Sequence, residues 1–371
     1  MSSRRDFLKS SLVGIGGIGV LSTLASCSTF DEFIFDDRHF SDDQVVIVGG
    51  GISGLSLAYK LRQLKMDYRI FEGSSYLGGR IKSSDGLDFG ASLFEQSDVL
   101  LKKLIKEFNL PTVPISATQF YMAGGAEQLV SGLKARVTGL MPYRNARLRW
   151  KLIEIAKVSD GFDLLFDTPD GRKTMRAKKV ALTLPPSQWA RVSGLLDLPE
   201  MSWGAAWLKT LKPEVITKLN YLLPPNMAFT VNKKAKVFLG SPANKISVLA
   251  KTLKNNMTGL EIEVYGSQNL DPESLLVHTE VGLNLEQLIT EINDKTKLSL
   301  SAKRASVDAI YNWADVDLIQ SAYFKNPTSI SEFMKNDGQR LQVFGDYSAA
   351  EKPHTVEGAL SEAERVSALF V

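Results

Sequence analysis

One cysteine, Cys27, is all that 371 residues hold. No intramolecular disulfide can form, and neither a cysteine-rich metal site nor a Cys–His dyad deep in the fold is available. Histidine is almost as scarce. His39, His278 and His354 lie far apart in no ligand-like spacing, so no structural zinc or di-iron site is expected. Charge of one sign is not in excess either. Arg4, Arg5 and Lys9 against Asp6 place a net +2 in residues 1–26, out of +3 for the whole chain. The remainder is nearly balanced and offers no electrostatic footprint for nucleic acid. The apolar run at residues 11–25, SLVGIGGIGVLSTLA, is too short to span a bilayer comfortably, and four glycines make it a poor helix. What is present is ordinary globular composition, 44% hydrophobic and 23% charged, over a length that suits one large or two modest domains.

The N-terminal segment has the order of an address. SRRDFLK at residues 3–9 puts positive charge ahead of a short apolar region with small residues after it, as secretory signals do. Arg4-Arg5 followed by Phe7-Leu8-Lys9 resembles the twin-arginine export signal of bacteria. Leu24-Ala25-Ser26-Cys27 resembles the lipobox of bacterial lipoproteins. Together these resemblances imply a signal over 1–26, a lipid on Cys27 and an acidic tether over 27–43. They also imply partnership with the twin-arginine export machinery and the membrane. The location implied is the bacterial periplasm, at the inner leaflet of the outer membrane. A disordered N-terminus and a retained, uncleaved anchor are the alternatives.

Residues 45–48, VVIV, form a β-branched run that suits a buried parallel strand. Gly49-Gly50-Gly51-Ile52-Ser53-Gly54 follows at once and fits G-x-G-x-x-G at 49, 51 and 54. Leu55, Ala58, Leu61 and Leu64 then recur at helical steps, and a second run, YRIF, ends at Glu72. Gly49 permits the tight turn, Gly51 lets the backbone approach a pyrophosphate, and Gly54 allows close helix–strand packing. The helix N-terminus favours phosphate charge, and Glu72 is placed to bind a ribose.

Tyr76-Leu77-Gly78-Gly79-Arg80-Ile81 comes next, and the whole stretch 45–81 resembles the nucleotide-binding region of the FAD-dependent amine oxidase superfamily. That superfamily also holds phytoene desaturases, protoporphyrinogen oxidases and the Rab GDP-dissociation inhibitors. Further segments extend the resemblance: Asp88-Phe89-Gly90-Ala91, Gly124-Gly125 before a helix, three strand-like runs between 148 and 186 ending in Pro185-Pro186, and Val343-Phe344-Gly345-Asp346 with Thr355-Val356-Glu357-Gly358-Ala359. Two turn signals, Ser159-Asp160-Gly161 and Pro169-Asp170-Gly171, separate the three runs.

The resemblance implies an α/β fold: a Rossmann-like FAD-binding domain of the GR2 type, split in sequence, with an inserted α+β substrate domain. FAD-binding parts are expected at 44–115, 140–186 and 315–371, substrate-domain parts at 116–139 and 187–314. FAD, bound non-covalently, is implied at Gly49, Gly51, Ile52, Ser53, Gly54, Glu72, Gly73, Gly78, Gly79, Arg80, Leu152, Gly345, Asp346, Thr355, Val356 and Ala359. Helix dipole charge near 356 would stabilise the reduced flavin.

For the substrate, a small molecule, Tyr323 resembles one wall of the family's aromatic cage and Trp313 a tryptophan near its active site. Thr355 matches the other wall and is not aromatic, and Ala322 stands where some relatives link a cysteine to the flavin. A lysine that holds a water against flavin N5 is expected among Lys209, Lys212, Lys218, Lys233, Lys234 and Lys236. Three functions stay open: hydride transfer from an amine, desaturation of a C–C bond in an apolar or lipid-derived molecule, and a non-catalytic binding protein in the manner of the GDP-dissociation inhibitors.

Overall fold

A computed structural model describes residues 44–138, 145–223, 237–239, 244–253, 258–266, 290, 293–294, 310–312, 323–325 and 340–371. Cys27 and Trp313 lie outside them. The order begins with β1 (Val45–Val48), α1 (Ile52–Gln63) and β2 (Tyr68–Glu72). Val45, Val46 and Ile47 have no exposed surface and Val48 has 2%, as a strand covered on both faces requires. β1 is the centre of a five-stranded parallel sheet. On one side stand β2 and β3 (Ala146–Leu148), on the other β7 (Lys179–Leu182) and β14 (Leu341–Val343). Strands from both ends of the chain thus share one sheet.

α1 is buried along nearly its whole length, from Ser53 to Leu61. It is wedged among the sheet, α3 (Glu127–Val137) and α4 (Val356–Leu369), which share its apolar core. Leu64, expected on its apolar face, is instead the C-cap and half exposed, because the helix ends at Gln63 and the chain turns away at Lys65, which takes φ +60°. Residues 116–139, expected with the substrate domain, supply α3 to this same core through Leu129, Val130 and Leu133. A further helix, α2 (Val99–Glu107), has its Leu101 and Leu104 in that core.

The run expected as one strand over 147–158 is two. Arg149 sits at φ +61° and separates β3 from β4 (Lys151–Val158). β4, β5 (Gly161–Thr168) and β6 (Gly171–Ala177) then form an antiparallel meander. Its two tight turns bring Gly161 and Gly171 to φ +134° and +96°, conformations that glycine adopts freely. Phe71, Trp150 and Phe166 stack where the meander joins the parallel sheet, with ring centroids 4.8–5.7 Å apart.

A second, mainly antiparallel sheet is built on β8 (Lys212–Leu223). Its order is β9 (Val237–Leu239), β10 (Asn244–Thr252), β11 (Thr258–Gly266), β8 and β12 (Ile310–Asn312), and β13 (Tyr323–Lys325) also pairs with β8. In the β8–β11 ladder Lys218 stands opposite Glu263 and Asn220 opposite Glu261. Both pairs are on one side of the pleat, because successive residues alternate faces.

Candidate functional site

A cavity of about 570 Å³ runs from the carboxyl end of β1 to the second sheet. It lies where ligands sit in open parallel sheets, beyond the strand ends. Gly49, Gly51, Ile52, Ser53, Glu72, Gly73, Gly79, Arg80, Leu152, Gly345, Asp346, Thr355 and Val356 all line it, so residues from the two ends of the sequence converge on one space. Gly54, Gly78 and Ala359 do not. Gly54 packs α1 against the loop, where a Cβ would fall 2.0 Å from the Gly49 carbonyl oxygen. Gly78 is held at φ +126° with its N–H on the Gly50 carbonyl. Ala359 is wholly buried in the helical core.

The loop is prepared for an anion. α1 starts at Gly51 with no side-chain cap and no acidic residue in its first turn, so its leading N–H groups have no intrahelical carbonyl to bond. Gly51 has φ −71° and ψ −174°, a conformation any residue adopts. An ideal Cβ there would meet only the Gly79 Cα, at 3.9 Å. Neither backbone strain nor protein packing therefore calls for glycine at 51; the open space in front of it does.

Glu72 accepts the Gly50 N–H at 2.6 Å and the Ser74 N–H at 2.7 Å, one on each carboxylate oxygen. This fixes the carboxylate at the cavity edge and leaves lone pairs for hydroxyl donors. Arg80 donates to Asp346 at 2.6 Å and so ties the first cofactor segment to the last. The Thr355 hydroxyl caps α4 by accepting the Gly358 N–H at 3.0 Å. Next to it, the Glu357 carboxylate accepts the N–H groups of Leu100 and Leu101, both at 2.9 Å, which caps α2 from another part of the chain. The Tyr347 hydroxyl donates to the Leu184 carbonyl at 3.1 Å, and burial, with Asp346 beside it, holds the phenol un-ionised well above its usual range.

At the other end Lys218 enters the cavity wall, 2% exposed. Its ammonium lies 2.8 Å from Glu263 and donates to the Ser92 hydroxyl at 3.0 Å. Burial alone would lower its pKa, but the carboxylates nearby, Glu263 foremost, more than offset this and hold Lys218 protonated. Of the six lysines expected at this place, Lys209 is exposed and Lys233, Lys234 and Lys236 lie outside the described residues. For Lys212 and Tyr323 the backbone is described: they sit in the β8–β13 pairing, with Tyr323 opposite Glu214.

Ser92, Glu263, Gln188, Arg191, Lys352 and His354 also line the cavity, and the motifs did not point to them. Lys218 and Glu263 had one signal in the sequence: each is a polar residue alternating with apolar neighbours in a strand, as in Lys218-Leu219-Asn220 and Glu261-Ile262-Glu263.

A glycine turn feeding an uncapped helix, an acid at the end of the second strand and a long cavity closed by a second sheet mark a protein built to bind a dinucleotide. Comparison with known proteins supplies the family. Residues 47–108 match the NAD(P)-binding Rossmann-like domain, and residues 116–369 match the flavin-containing amine oxidoreductases. The chain belongs to the flavin-containing amine oxidoreductase family and is an FAD-dependent oxidoreductase.

Among solved structures, cyclohexylamine oxidase from Brevibacterium oxydans IH-35A superposes with a TM-score of 0.67 at 13% identity, covering 89% of this chain and 99% of that one. Putrescine oxidase bound to putrescine superposes at 0.60 and 13% identity, covering 88% and 98%. At such identities these likenesses speak for the fold. Curated relatives match over shorter stretches. The mitochondrial protoporphyrinogen oxidase of Nicotiana tabacum is 34% identical over 95 residues, 24% of this chain and 19% of that protein. Protoporphyrinogen oxidase 2 of Arabidopsis thaliana is 32% identical over 89 residues, 22% and 18%. The chain thus spans about a fifth of the length of these relatives.

Proposed function

We propose that the protein oxidises a small amine by removing hydride from the carbon next to nitrogen, with FAD held non-covalently in the cavity. Bound FAD supplies the hydride acceptor; the protein positions the groups around it and keeps the site dry. Gly51 and the uncapped start of α1 take the pyrophosphate, Glu72 the ribose, and the Arg80–Asp346 pair closes the space between the two ends of the chain. The N-terminus of α4 lends partial positive charge to the reacting end.

The observation that carries the reading is Lys218, a buried ammonium fixed at the cavity wall by Glu263 and Ser92. From there it orients a water or a substrate heteroatom. Solved structures of this fold include oxidases named for two amines, putrescine and cyclohexylamine. A second reading is favoured by the partial similarity to protoporphyrinogen oxidases, namely oxidation of C–C and C–N bonds in a larger apolar substrate.

The purified protein is expected to show oxidised-flavin absorption that bleaches anaerobically when a monoamine or diamine is added. Persistence of the colour with amines, and bleaching with a porphyrinogen, would replace the first reading by the second. Acid precipitation is expected to release the flavin to the supernatant, and retention in the pellet refutes non-covalent binding. We further propose export of the folded, FAD-loaded protein by the twin-arginine route and tethering through Cys27. Fractionation of Cys27→Ser and Arg4→Lys/Arg5→Lys variants tests this; unchanged membrane association in both refutes it.

A further inference from the structure

Behind the cavity wall, the polar face of the second sheet continues inward with charges that the site does not use. The side chains of Lys251 and Asp88 are fully buried and that of Glu261 is 1% exposed. The Lys251 ammonium lies 2.5 Å from Asp88 Oδ2 and 2.6 Å from Glu261 Oε1. Asp88 Oδ1 accepts from the Ser83 hydroxyl at 2.5 Å and from the Ala126 N–H at 2.7 Å. With Lys218 and Glu263 alongside, this face holds two ammonium groups and three carboxyls. Were all five ionised, a net negative charge would be buried, which low-dielectric surroundings penalise strongly.

Glu261 uses its oxygens unequally. Oε1 accepts both from Lys251 and from the Asp88 N–H at 2.5 Å, whereas Oε2 is buried with no hydrogen-bond partner. Directly opposite in the ladder stands Asn220. Its Nδ2 donates to the Asp88 carbonyl at 3.3 Å, and its Oδ1 is likewise buried without a partner. The Asp88 carbonyl can only accept, so the orientation of the amide is settled. Two acceptor oxygens on facing residues therefore lack a donor, and directly opposed residues of an antiparallel pair have Cβ atoms about 4.5–5.5 Å apart.

We propose that Glu261 is an un-ionised carboxylic acid in the folded protein, donating its proton from Oε2 to Asn220 Oδ1, and that its neutrality leaves the Lys218 ammonium to Glu263. One proton satisfies both orphaned oxygens. It also leaves two ammonium groups against two carboxylates, so that Glu263 alone holds the Lys218 ammonium at the cavity wall.

The groups facing Glu261 agree. Burial raises its carboxyl above the usual range, Lys251 from β10 and Lys218 from β8 pull it down, and Asp88 pushes it up again. Tyr121 adds its ring 5.2 Å from the Lys251 ammonium. The sign for stability follows from a raised folded-state value: folding takes up a proton. This contribution is complete below the ordinary glutamate range and is lost as pH rises toward the folded value, by tenfold in the folding constant per pH unit.

The role assigned to Lys218 rests on the proposed function, but the proton on Glu261 is measured without substrate, so the two fail separately. Calorimetric unfolding of the FAD-loaded protein at pH 7, in two buffers of different ionisation enthalpy, counts the protons released. Wild type is expected to release one more than E261Q, with E261Q melting close to wild type because glutamine also offers a neutral donor to Asn220. Equal proton counts overturn the proposal.

Should E261Q not fold, the infrared spectrum of the wild type decides: an un-ionised carboxyl band at pH 7 that shifts in D₂O is expected, and its absence overturns the proposal. Titration of the Lys218 ammonium by ¹⁵N NMR reads which carboxyl carries the charge beside it. The midpoint is expected to move down in E263Q and to stay in place in E261Q; equal movement in both overturns the neutrality of Glu261.

Discussion

Gly51→Ala and Gly54→Ala are single methyl additions three residues apart, and the structure assigns them opposite consequences. At 54 the new Cβ would lie 2.0 Å from the Gly49 carbonyl oxygen and 3.1 Å from its carbon. Those are backbone atoms, so α1 has to move off the loop. Overpacking of this kind costs about 1–3 kcal/mol, and at roughly 2–4 °C per kcal/mol the apoprotein should melt roughly 2–12 °C lower. At 51 the Cβ meets only the Gly79 Cα at 3.9 Å, with the backbone already in an extended conformation. The apoprotein should therefore be as stable as wild type, or more stable by roughly 0.4–1 kcal/mol through loss of unfolded-state freedom.

The penalty at 51 appears only with cofactor. On the proposed placement of FAD, the methyl takes the space where the pyrophosphate would meet the first N–H groups of α1. Losing one hydrogen bond to a charged group costs about 1.5–3 kcal/mol, roughly 10- to 100-fold in affinity. Deflavinated protein titrated with FAD, followed by quenching of flavin fluorescence, gives the affinity, and apoprotein melting gives the stability. Gly51→Ala binding FAD as tightly as wild type would refute the placement of the pyrophosphate. A Gly51→Ala apoprotein that melts several degrees low would refute the claim that the protein itself leaves that space open.

Lys218→Met should retain FAD yet lose about 10²-fold or more in turnover, the range of a positioned proton-transfer or water-orienting group; stopped-flow reduction with substrate checks it, and a wild-type rate refutes the role. Asp346→Asn leaves Arg80 without its carboxylate, and because both side chains keep some solvent contact we expect a cost of about 1–3 kcal/mol, below that for a fully buried pair, visible as faster FAD release on dilution. Glu357→Ala removes both acceptors from the N–H groups of Leu100 and Leu101; losing a helix cap costs about 0.5–2 kcal/mol, so thermal denaturation should come a few degrees earlier with FAD affinity little changed.

The nucleotide loop was legible because its parts are consecutive. Strand, glycines, helix and acid fall within residues 45–72, and each has a local reason. The C-terminal group around Asp346 and Thr355 was readable for the same cause, and the structure brings it to the same cavity as Gly51. What was left unresolved depends on register: Lys218 stood among six candidate lysines with nothing to choose it. Lys218, Glu263 and Ser92 meet only because β8 and β11 pair in one alignment and a segment 126 residues earlier passes beneath them; a slip of one residue would turn both charges to the opposite face. Arg149 was hidden for another reason. A left-handed arginine carries no turn signature, so the strand-like run across it read as continuous. Leu64 misled through periodicity: a helix buried on several sides has no exposed face to set the pattern.

The central strand of the parallel sheet is made near the start of the described chain and its far edge near the end. Leu341 follows Val48 by 293 positions, which a ribosome covers in roughly 15–60 s. Until then α1 lacks α4, Arg80 lacks Asp346, and β7, once made, lacks its outer neighbour β14. A nascent chain of this design has an apolar half-core that stays uncovered until β14 and α4 have been made. Its cavity cannot close before Asp346 and Thr355 are there to line it. Capture of the cofactor is therefore tied to the making of the last sheet strand and not to that of the glycine loop.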